Sequence, residues 1–569
     1  MAVAPALGAD NTASPTGTVM QNSIPIPVSS PASSVDDVLR PGYRHLMQLI
    51  NYYANDDPSR TYAAIPVDSD DLSRGFRDVS YAQFANAIDH CAHWLSRILS
   101  DPVESFEPVA YFGPKDLRYP IMLMALAKLE RKMLLIGFTL HRTAQAHLVS
   151  TTKCKVVLYA EGFREVVSEI APLVDGQVHV IEAPSQEAWL TDQKSERYTW
   201  DKSWEEAKDL PFMVLHTSGT TGMPKPIIYT HQMMVSFDST RIMPDAKHES
   251  LLDHMKGRRW FSPTPNSHVV EMYVAFQWTA VGGGVAVFGH PTESTSSLII
   301  DALRYGKCQA MIAPPIFYER LVKEPLGLQT LQGLDFIYFG GASMSPQTAN
   351  RLVSHTRVQA AFGTTESGMF FVRPRGNEDW QWFEFRESNG IEFEHQDGNL
   401  FELKVLKKPE LKRWQQIFQI SQFAGVDVWR SGDLWERHPT RHDAWRLIGR
   451  MDDLIGLADA KKLNASTLEM ELSQCPGVAG VVVGGSGQVR PFALVEWTDE
   501  DVDNEAKLDE LWPVVQNWNE KASQHARLQK DSILFTDPGK GLVRNVKSVP
   551  VRKPSEQLYA EEIKHLYTA

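Results

Sequence analysis

His216-Thr217-Ser218-Gly219-Thr220-Thr221-Gly222-Met223-Pro224-Lys225 is the stretch on which the reading of this chain turns. It follows Phe212-Met213-Val214-Leu215, an apolar run of buried-strand length. A strand that empties into a loop of Gly, Ser and Thr offers backbone N–H groups and hydroxyls to an anion, and Lys225 adds a point charge. That chemistry suits a polyphosphate; the alternative reading is a Gly-rich surface turn. No G-x-x-x-x-G-K-[ST] occurs, nor a G-x-G-x-x-G between strand and helix, which argues against a Walker loop and a dinucleotide site.

Outward from this loop, strand-like runs alternate with helices. Ser80 is placed to cap a helix over 81–99 whose Phe84, Ile88, Cys91, Trp94, Leu95 and Ile98 share one face. Strands at 109–112, 132–136 and 155–159 are separated by helices over 119–129 and 144–150, and the alternation resumes at 310–313 and 336–339. This pattern predicts an α/β protein with parallel sheets covered by helices. Short strands near 393, 400–403 and 426–429 mark a change of character, and a βαββ-like segment follows from about 451, with helices over 468–474 and 508–519. Residues 1–35, rich in Ser, Pro, Ala and Thr, read as a flexible leader. The turn-forming Gly449-Arg450-Met451-Asp452-Asp453 places a boundary between a large domain, 36–451, and a small one, 452–569.

At 569 residues the chain exceeds one core. A net charge of −13 and a pI near 5.8 argue against a nucleic-acid surface. Cys91, Cys154, Cys308 and Cys475 form no C-x-x-C, so reduced thiols and a cytoplasmic location are expected. The apolar stretch 274–289 is broken by Gln277 and three glycines and reads as buried core, so no membrane span is expected.

Three more segments give the loop its context. Phe362-Gly363-Thr364-Thr365-Glu366 ends in a carboxylate suited to Mg²⁺ on a phosphate. Ser431-Gly432-Asp433 offers a carboxylate to the hydroxyls of a ribose, and Gly449-Arg450-Met451-Asp452-Asp453 follows. Together, in this order, they resemble the ANL family of acyl-CoA synthetases, luciferases and peptide-synthetase adenylation domains. T-S-G-T-T-G-x-P-K-G is matched from Thr217 to Lys225 with Pro226 for the last Gly, and Y-G-x-T-E by Phe362–Glu366 with Phe for Tyr. Y-R-T-G-D is matched by Trp429–Asp433 and G-R-x-D-D by Gly449–Asp453. The resemblance spans about residue 40 to the C-terminus.

What the resemblance implies is a large adenylate-forming domain with a β-barrel-like subdomain and a small α+β domain that rotates on a hinge. It also implies a two-step reaction: a carboxylic acid and Mg·ATP give an acyl-adenylate, and a thiol then displaces AMP. By position, Thr217, Ser218, Gly219, Thr220, Thr221, Gly222 and Lys225 hold the β- and γ-phosphates. Phe362 and Gly363 lie at the adenine, Thr365 at the α-phosphate and Glu366 on Mg²⁺. Asp433 and Arg450 hold the ribose, and Asp452 is the hinge. The family's catalytic lysine has two candidates. Lys540 sits in Gly539-Lys540-Gly541, but the register of fungal multidomain members, set by Asp537, Pro538, Lys540, Arg544, Arg552, Leu558, Tyr559 and Ile563, favours Lys547, although Ser548 replaces the following Gly.

Amino-acid-activating members carry an Asp in F-D-x-S-x-x-E-M that pairs with the substrate ammonium. Phe237-Asp238-Ser239-Thr240 imitates this segment but lies too close to Lys225; Glu271-Met272 sets a register in which Asn266 stands at the Asp position. An amide cannot offset a buried ammonium charge, so an ordinary α-amino acid is disfavoured. His268 resembles the His of P-x-F-H in acyl- and aryl-activating relatives, and a hydrogen-bonded structural histidine is the competing reading. The same register places Asn266, Ser267, His268, Val270, Ile312, Tyr338, Gly340, Ala361, Met369 and Phe370 around the acyl group. This neutral wall suits an aryl acid, an α-keto acid or another small carboxylate, and Tyr338 with Phe370 also suits a betaine-like acid through cation–π attraction.

The tail Gln557–Tyr567 resembles the end of the adenylation domain in fungal peptide-synthetase-like reductases, which implies a phosphopantetheinylated carrier domain as acceptor, in cis or in trans, feeding a reductase or similar module. No carrier signature is present before Ala569. Leu457-Ala458-Asp459-Ala460-Lys461-Lys462 departs from the family's Gly-containing loop of the thioester-forming state. The competing readings are a stand-alone acyl- or aryl-CoA ligase and, from another class, a non-catalytic nucleotide-binding module.

Overall fold

Two sheets carry the large part of the molecule. The computed structural model describes residues 35–138, 140–217, 223–246, 249–458, 461–544 and 549–567, so nearly all of the expected leader lies outside the described residues. One sheet has six strands in the spatial order His179–Glu182, Val156–Tyr159, Pro108–Phe112, Lys132–Leu135, Pro211–Thr217, Lys225–Thr230, all parallel but the last. The other has seven, ordered Arg357–Ala361, Phe336–Gly340, Ala310–Ala313, Arg259–Phe261, Val285–Val287, Thr61–Pro66, Phe76–Ser80, again parallel but the last. Parallel strands end at the same edge, and ligands of such sheets bind beyond the carboxyl ends. Helix Tyr81–Ile98 begins where its capping box dictates: Ser80 accepts from the Gln83 N–H while the Gln83 side chain accepts from the Ser80 N–H. The apolar run 274–289 is a buried π-helix, Tyr273–Val281, followed by strand Val285–Val287.

The sheets share a core that includes Phe84, Met122, Leu215, Trp260, Phe276 and Tyr338. A buried ion pair also crosses between them. Lys115, after strand Pro108–Phe112, reaches Glu271, after strand Arg259–Phe261, at 2.9 Å, and its ammonium also donates to the Ser262 carbonyl. Burial pushes the Lys115 ammonium down and the Glu271 carboxyl up, so each needs the other to stay charged.

Beyond these sheets, Ile391–Asp397, Leu400–Leu406, Val428–Arg437 and Trp445–Arg450 form a four-stranded antiparallel sheet, the counterpart of the expected barrel-like part. The C-terminal part has a three-stranded sheet, Val478–Gly484, Phe492–Trp497 and Ile533–Phe535, packed with helices Ala465–Leu472 and Asn504–Lys521 around its own core. Among the described residues no helix is long and apolar enough to cross a membrane.

Under the first sheet, His231 stacks on Trp200 at 5.2 Å and meets Phe212 and His45. His45 caps helix Leu46–Asp56 through Nδ1 while Nε2 donates to the Lys202 carbonyl. Burial pushes His45 to about 4 and His231 to about 3, with His45 charge adding to the second. Both unfold to a pKa near 6.5, so their contribution is full above that pH and is lost as pH falls toward the folded values. From pH 7 to pH 5, His231 alone removes about 2 kcal/mol of stability. Urea titrations of His231→Phe are expected to show a pH 7 to pH 5 loss smaller by that amount; an unchanged loss would refute the assignment.

Candidate active site

The loop of the opening stretch is the tip of a hairpin. Strands Pro211–Thr217 and Lys225–Thr230 pair antiparallel, with Thr217 opposite Lys225 and His216 opposite Pro226. Ser218, Gly219, Thr220, Thr221 and Gly222 lie outside the described residues; Lys225 is exposed at the root of the loop.

The second motif sits beside this hairpin. Strand Arg357–Ala361 runs into Phe362, and Gly363-Thr364 folds back on Gly368-Met369. The turn is tied by paired bonds, Thr364 N–H to Ser367 Oγ at 3.1 Å and Ser367 N–H to Thr364 Oγ1 at 3.0 Å, which present Thr365 and Glu366 at its tip. Gly363 is required here, because a Cβ would come within 2.3 Å of the Gly368 carbonyl. Tyr229, on the second hairpin strand, is fully buried and donates its hydroxyl to the Thr365 carbonyl at 2.8 Å. This bond joins the strand that carries Lys225 to the turn that carries Glu366. Tyr229→Phe leaves the carbonyl unpaired, a cost of about 1–3 kcal/mol. It is expected to slow adenylation about tenfold through the ATP step, read as a fall in kcat/KM for ATP in pyrophosphate exchange. A variant indistinguishable from wild type would remove Tyr229 from the positioning of this turn.

Half-buried Glu366 has no hydrogen bond or ion pair among the described residues, and no cluster of three or more His, Cys, Asp or Glu able to hold a metal occurs among them. A single carboxylate fits Mg²⁺, which uses one or two carboxylates together with substrate phosphates rather than a full protein cage. Phe362 is buried, with one face stacked on Phe370 at 5.4 Å and its ring edge-to-face with Trp435 at 4.8 Å.

Asp433 and Arg450 come together across strands Val428–Arg437 and Trp445–Arg450 as directly opposed residues. Arg450 Nη1 donates to Asp433 Oδ1 at 2.7 Å and to the Ser431 carbonyl at 3.1 Å, and the Ser431 hydroxyl accepts from the Asp433 N–H at 3.0 Å. Burial raises the Asp433 carboxyl, and the arginine works against that shift. Gly432, at φ 67°, has the left-handed backbone that turns the carboxylate inward.

Asp452 lies in the single turn Met451–Asp453, directly after Arg450. Its neighbour Asp453 is clamped on both sides. It accepts from the Arg450 N–H at 3.2 Å and from the Ser466 hydroxyl, and pairs with Arg552 at 2.6 Å. Arg552 in turn holds Glu469 at 2.8 Å and the Val483 carbonyl at 2.8 Å. Lys547 lies outside the described residues; its loop is closed by pairing of Arg544 with Pro550 and by the Val551 N–H on the Val543 carbonyl. Lys540 donates to Glu562 and lies 4.0 Å over the Tyr559 ring. The hairpin Leu454–Asn464 carries the divergent loop, of which Asp459 and Ala460 lie outside the described residues.

The acyl-wall residues divide into groups. Asn266 follows strand Arg259–Phe261, is 4% exposed, and leaves both amide atoms without a partner among the described residues. Next to it come Ser267 and His268, whose Nδ1 accepts from the Val270 N–H at 3.3 Å and caps helix Val269–Met272. Ile312 and Tyr338 are register partners on adjacent parallel strands, as are Gly340 and Ala361. Met369 and Phe370 are buried beyond the Glu366 turn. Tyr338 is fully buried among Trp260, Trp278 and His254, whereas Phe370 belongs to the Phe362–Phe385 ring cluster. Among the described residues Tyr338 and Phe370 thus belong to separate ring clusters. The Tyr338 hydroxyl bonds His254 Nδ1, and His254 Nε2 meets Glu249 at 2.7 Å. Tyr229 and His254 carry no local motif; their partners are 136 and 84 residues away in sequence.

Comparison with known proteins identifies the family. The profile of the AMP-binding enzyme family matches residues 56–386, and that of the AMP-binding enzyme C-terminal domain matches 452–569. A carboxylic acid reductase of Neurospora crassa is 30% identical over 542 residues, covering 92% of this chain and 51% of the reductase. An isocyanide synthase–NRPS hybrid of Aspergillus fumigatus is 29% identical over 534 residues, covering 92% of this chain and 34% of the hybrid. The chain thus spans about half the length of the first of these relatives and a third of the second. The crystal structure of an anthranilate CoA ligase with anthranoyl-AMP superposes with a TM-score of 0.70 at 16% identity, covering 92% of this chain and 98% of the ligase, which shows the shared fold. The chain belongs to the AMP-binding enzyme family and is an adenylate-forming enzyme of the ANL superfamily, homologous to fungal carboxylic acid and adenylate-forming reductases.

Proposed function

We propose that the protein uses ATP to activate a small, uncharged-walled carboxylic acid, of the aryl or α-keto type, and passes the acyl group to the phosphopantetheine thiol of a carrier domain. The observation that carries the substrate class is Asn266, a buried amide with neither end paired, where a member taking amino acids needs a carboxylate. The domains are 36–451 and 452–569, turning about Asp452.

In the first step a carboxylate oxygen of the acid attacks the α-phosphorus of ATP, the bond to the bridging oxygen breaks, and pyrophosphate leaves. Thr217 and Lys225 hold the β- and γ-phosphates together with the intervening loop, and Thr365 contacts the α-phosphate. Asp433, kept in place by Arg450, takes the ribose hydroxyls, and Phe362 bounds the adenine. Mg²⁺ on Glu366 would offset phosphate charge. Catalysis of this kind is positioning plus charge stabilisation. In the second step the thiolate attacks the acyl carbon, AMP departs, and a thioester remains.

ATP–pyrophosphate exchange across a panel of aryl, α-keto, betaine-type and proteinogenic amino acids tests the reading, followed by acyl transfer to a holo-carrier or to free CoA. Exchange with neutral aryl or α-keto acids and transfer to the carrier are expected. A clear preference for L-amino acids would overturn the substrate class, and transfer to CoA alone would overturn the acceptor.

A further inference from the structure

His216 ends the strand that feeds the opening loop, and its ring is held in one tautomer. Nε2 accepts from the Gly137 N–H at 3.1 Å, so in the neutral ring the proton sits on Nδ1. That Nδ1 is buried and has no partner among the described residues. Burial pushes the ring down to about 4, so it stays neutral at working pH. His45 and His254 use both nitrogens, whereas His231, whose Nδ1 is also unpaired among the described residues, is packed against Trp200 and Phe212 in the core.

What sets His216 apart is its company. A Cβ on Gly137 would lie 3.4 Å from His216 Nε2 and 3.5 Å from Ser267 Oγ, so one turn touches both side chains. Asn266, next to Ser267, is a buried amide with both ends unpaired among the described residues, as is Gln416. His216 and Ser267 thus flank Gly137 beyond the carboxyl ends of strands Lys132–Leu135 and Arg259–Phe261, and Asn266 precedes Ser267 in the chain. An unpaired buried polar group calls for an explanation, and uptake of a ligand is one.

We propose that His216 is a substrate-binding residue of the adenylation step, donating from Nδ1–H to one carboxylate oxygen of the acid while the other attacks phosphorus. The assignment rests on the function proposed above. A neutral donor suits the task because it orients the carboxylate without drawing off the negative charge that makes it a nucleophile, as a cation would.

Two amide substitutions separate binding from support, since the nitrogen of Asn falls near Nδ1 and the oxygen of Gln near Nε2. His216→Asn keeps a donor toward the acid and gives up the Gly137 contact; His216→Gln does the reverse. In pyrophosphate exchange His216→Gln is expected to raise the KM for the acid about tenfold with the KM for ATP within about twofold, while His216→Asn stays within about threefold of wild type. The reverse order, or a KM for ATP that rises in step, overturns the assignment and leaves His216 a prop for Gly137. Wild-type protein labelled with ¹⁵N-histidine gives a reading that needs no variant: addition of the acid with a non-hydrolysable ATP analogue is expected to move the Nδ1–H resonance downfield, and an unmoved resonance overturns the proposal. Absence of exchange in the wild type with every acid overturns the proposed function as well, whereas an active wild type with an unaffected Gln variant overturns only the role of His216.

Discussion

Lys547→Ala is expected to lower the rate of pyrophosphate exchange by about 10²–10³-fold, the usual loss when one donor to developing transition-state charge is removed, while Lys540→Ala stays within about threefold of wild type. The contrast follows from where Lys540 is held. Its ammonium donates to Glu562 and lies 4.0 Å over the Tyr559 ring, and the Tyr559 hydroxyl bonds the Lys540 carbonyl and accepts from the Asp537 N–H at 3.0 Å. A lysine engaged on three sides within the small domain would have to give up an ion pair and a cation–π contact to reach a phosphate. Lys547 lies between Arg544 and Pro550, which pair with each other, and five residues before Arg552, which clamps Asp453 and Glu469. The clamp ties helix Arg552–Leu558 to Asp453, next to Asp452, the proposed hinge. Exchange assays on the two single variants, with the ATP-independent transfer of the acyl group from a chemically made acyl-adenylate as control, decide the matter. Equal losses, or a larger loss at Lys540, would reverse the assignment.

Local chemistry made much of the fold legible. Ser80 with Gln83 announces the start of the helix at Tyr81, and Phe212–Leu215 announces a buried strand, because both signals lie within one turn or one run of chain. The motif residues could be placed for the same reason: Gly363 and Gly432 are forced by backbone geometry inside their own turns. What could not be read is what these turns lean on. The Thr365 turn depends on Tyr229, and Tyr338 on His254 and Glu249, through contacts between segments that only the folded sheets bring together. His216 shows the same limit at closer range. The sequence set it at the head of the loop, yet its free nitrogen is visible only once Gly137 occupies the other. Periodicity reports which face of an element is buried, and is silent on which buried polar group finds a partner.

The substitution expected to cost the most stability is Asp238→Ala, at about 3–5 kcal/mol. Phe237-Asp238-Ser239-Thr240 imitates a substrate-binding segment, but its aspartate is fully buried and spends its oxygens on Gly42, Arg44 and Arg241. It accepts from the Gly42 N–H at 2.5 Å, from Arg44 Nε at 2.9 Å and Nη2 at 2.7 Å, and from Arg241 Nη1 at 2.5 Å. Arg44 is 1% exposed, so its guanidinium depends on this carboxylate and on Asp36 at 2.7 Å. Removing Asp238 strands a buried cation, which is what makes breaking such a pair costlier than never having had it. The double variant Asp238→Leu with Arg44→Met is therefore expected to regain most of the loss in urea unfolding. Because every oxygen contact is structural, the KM for the acid in the folded fraction is expected to stay within about twofold in Asp238→Ala. A stable variant with a raised KM would instead return Asp238 to the substrate and displace Asn266 from the position that decides which acid is taken.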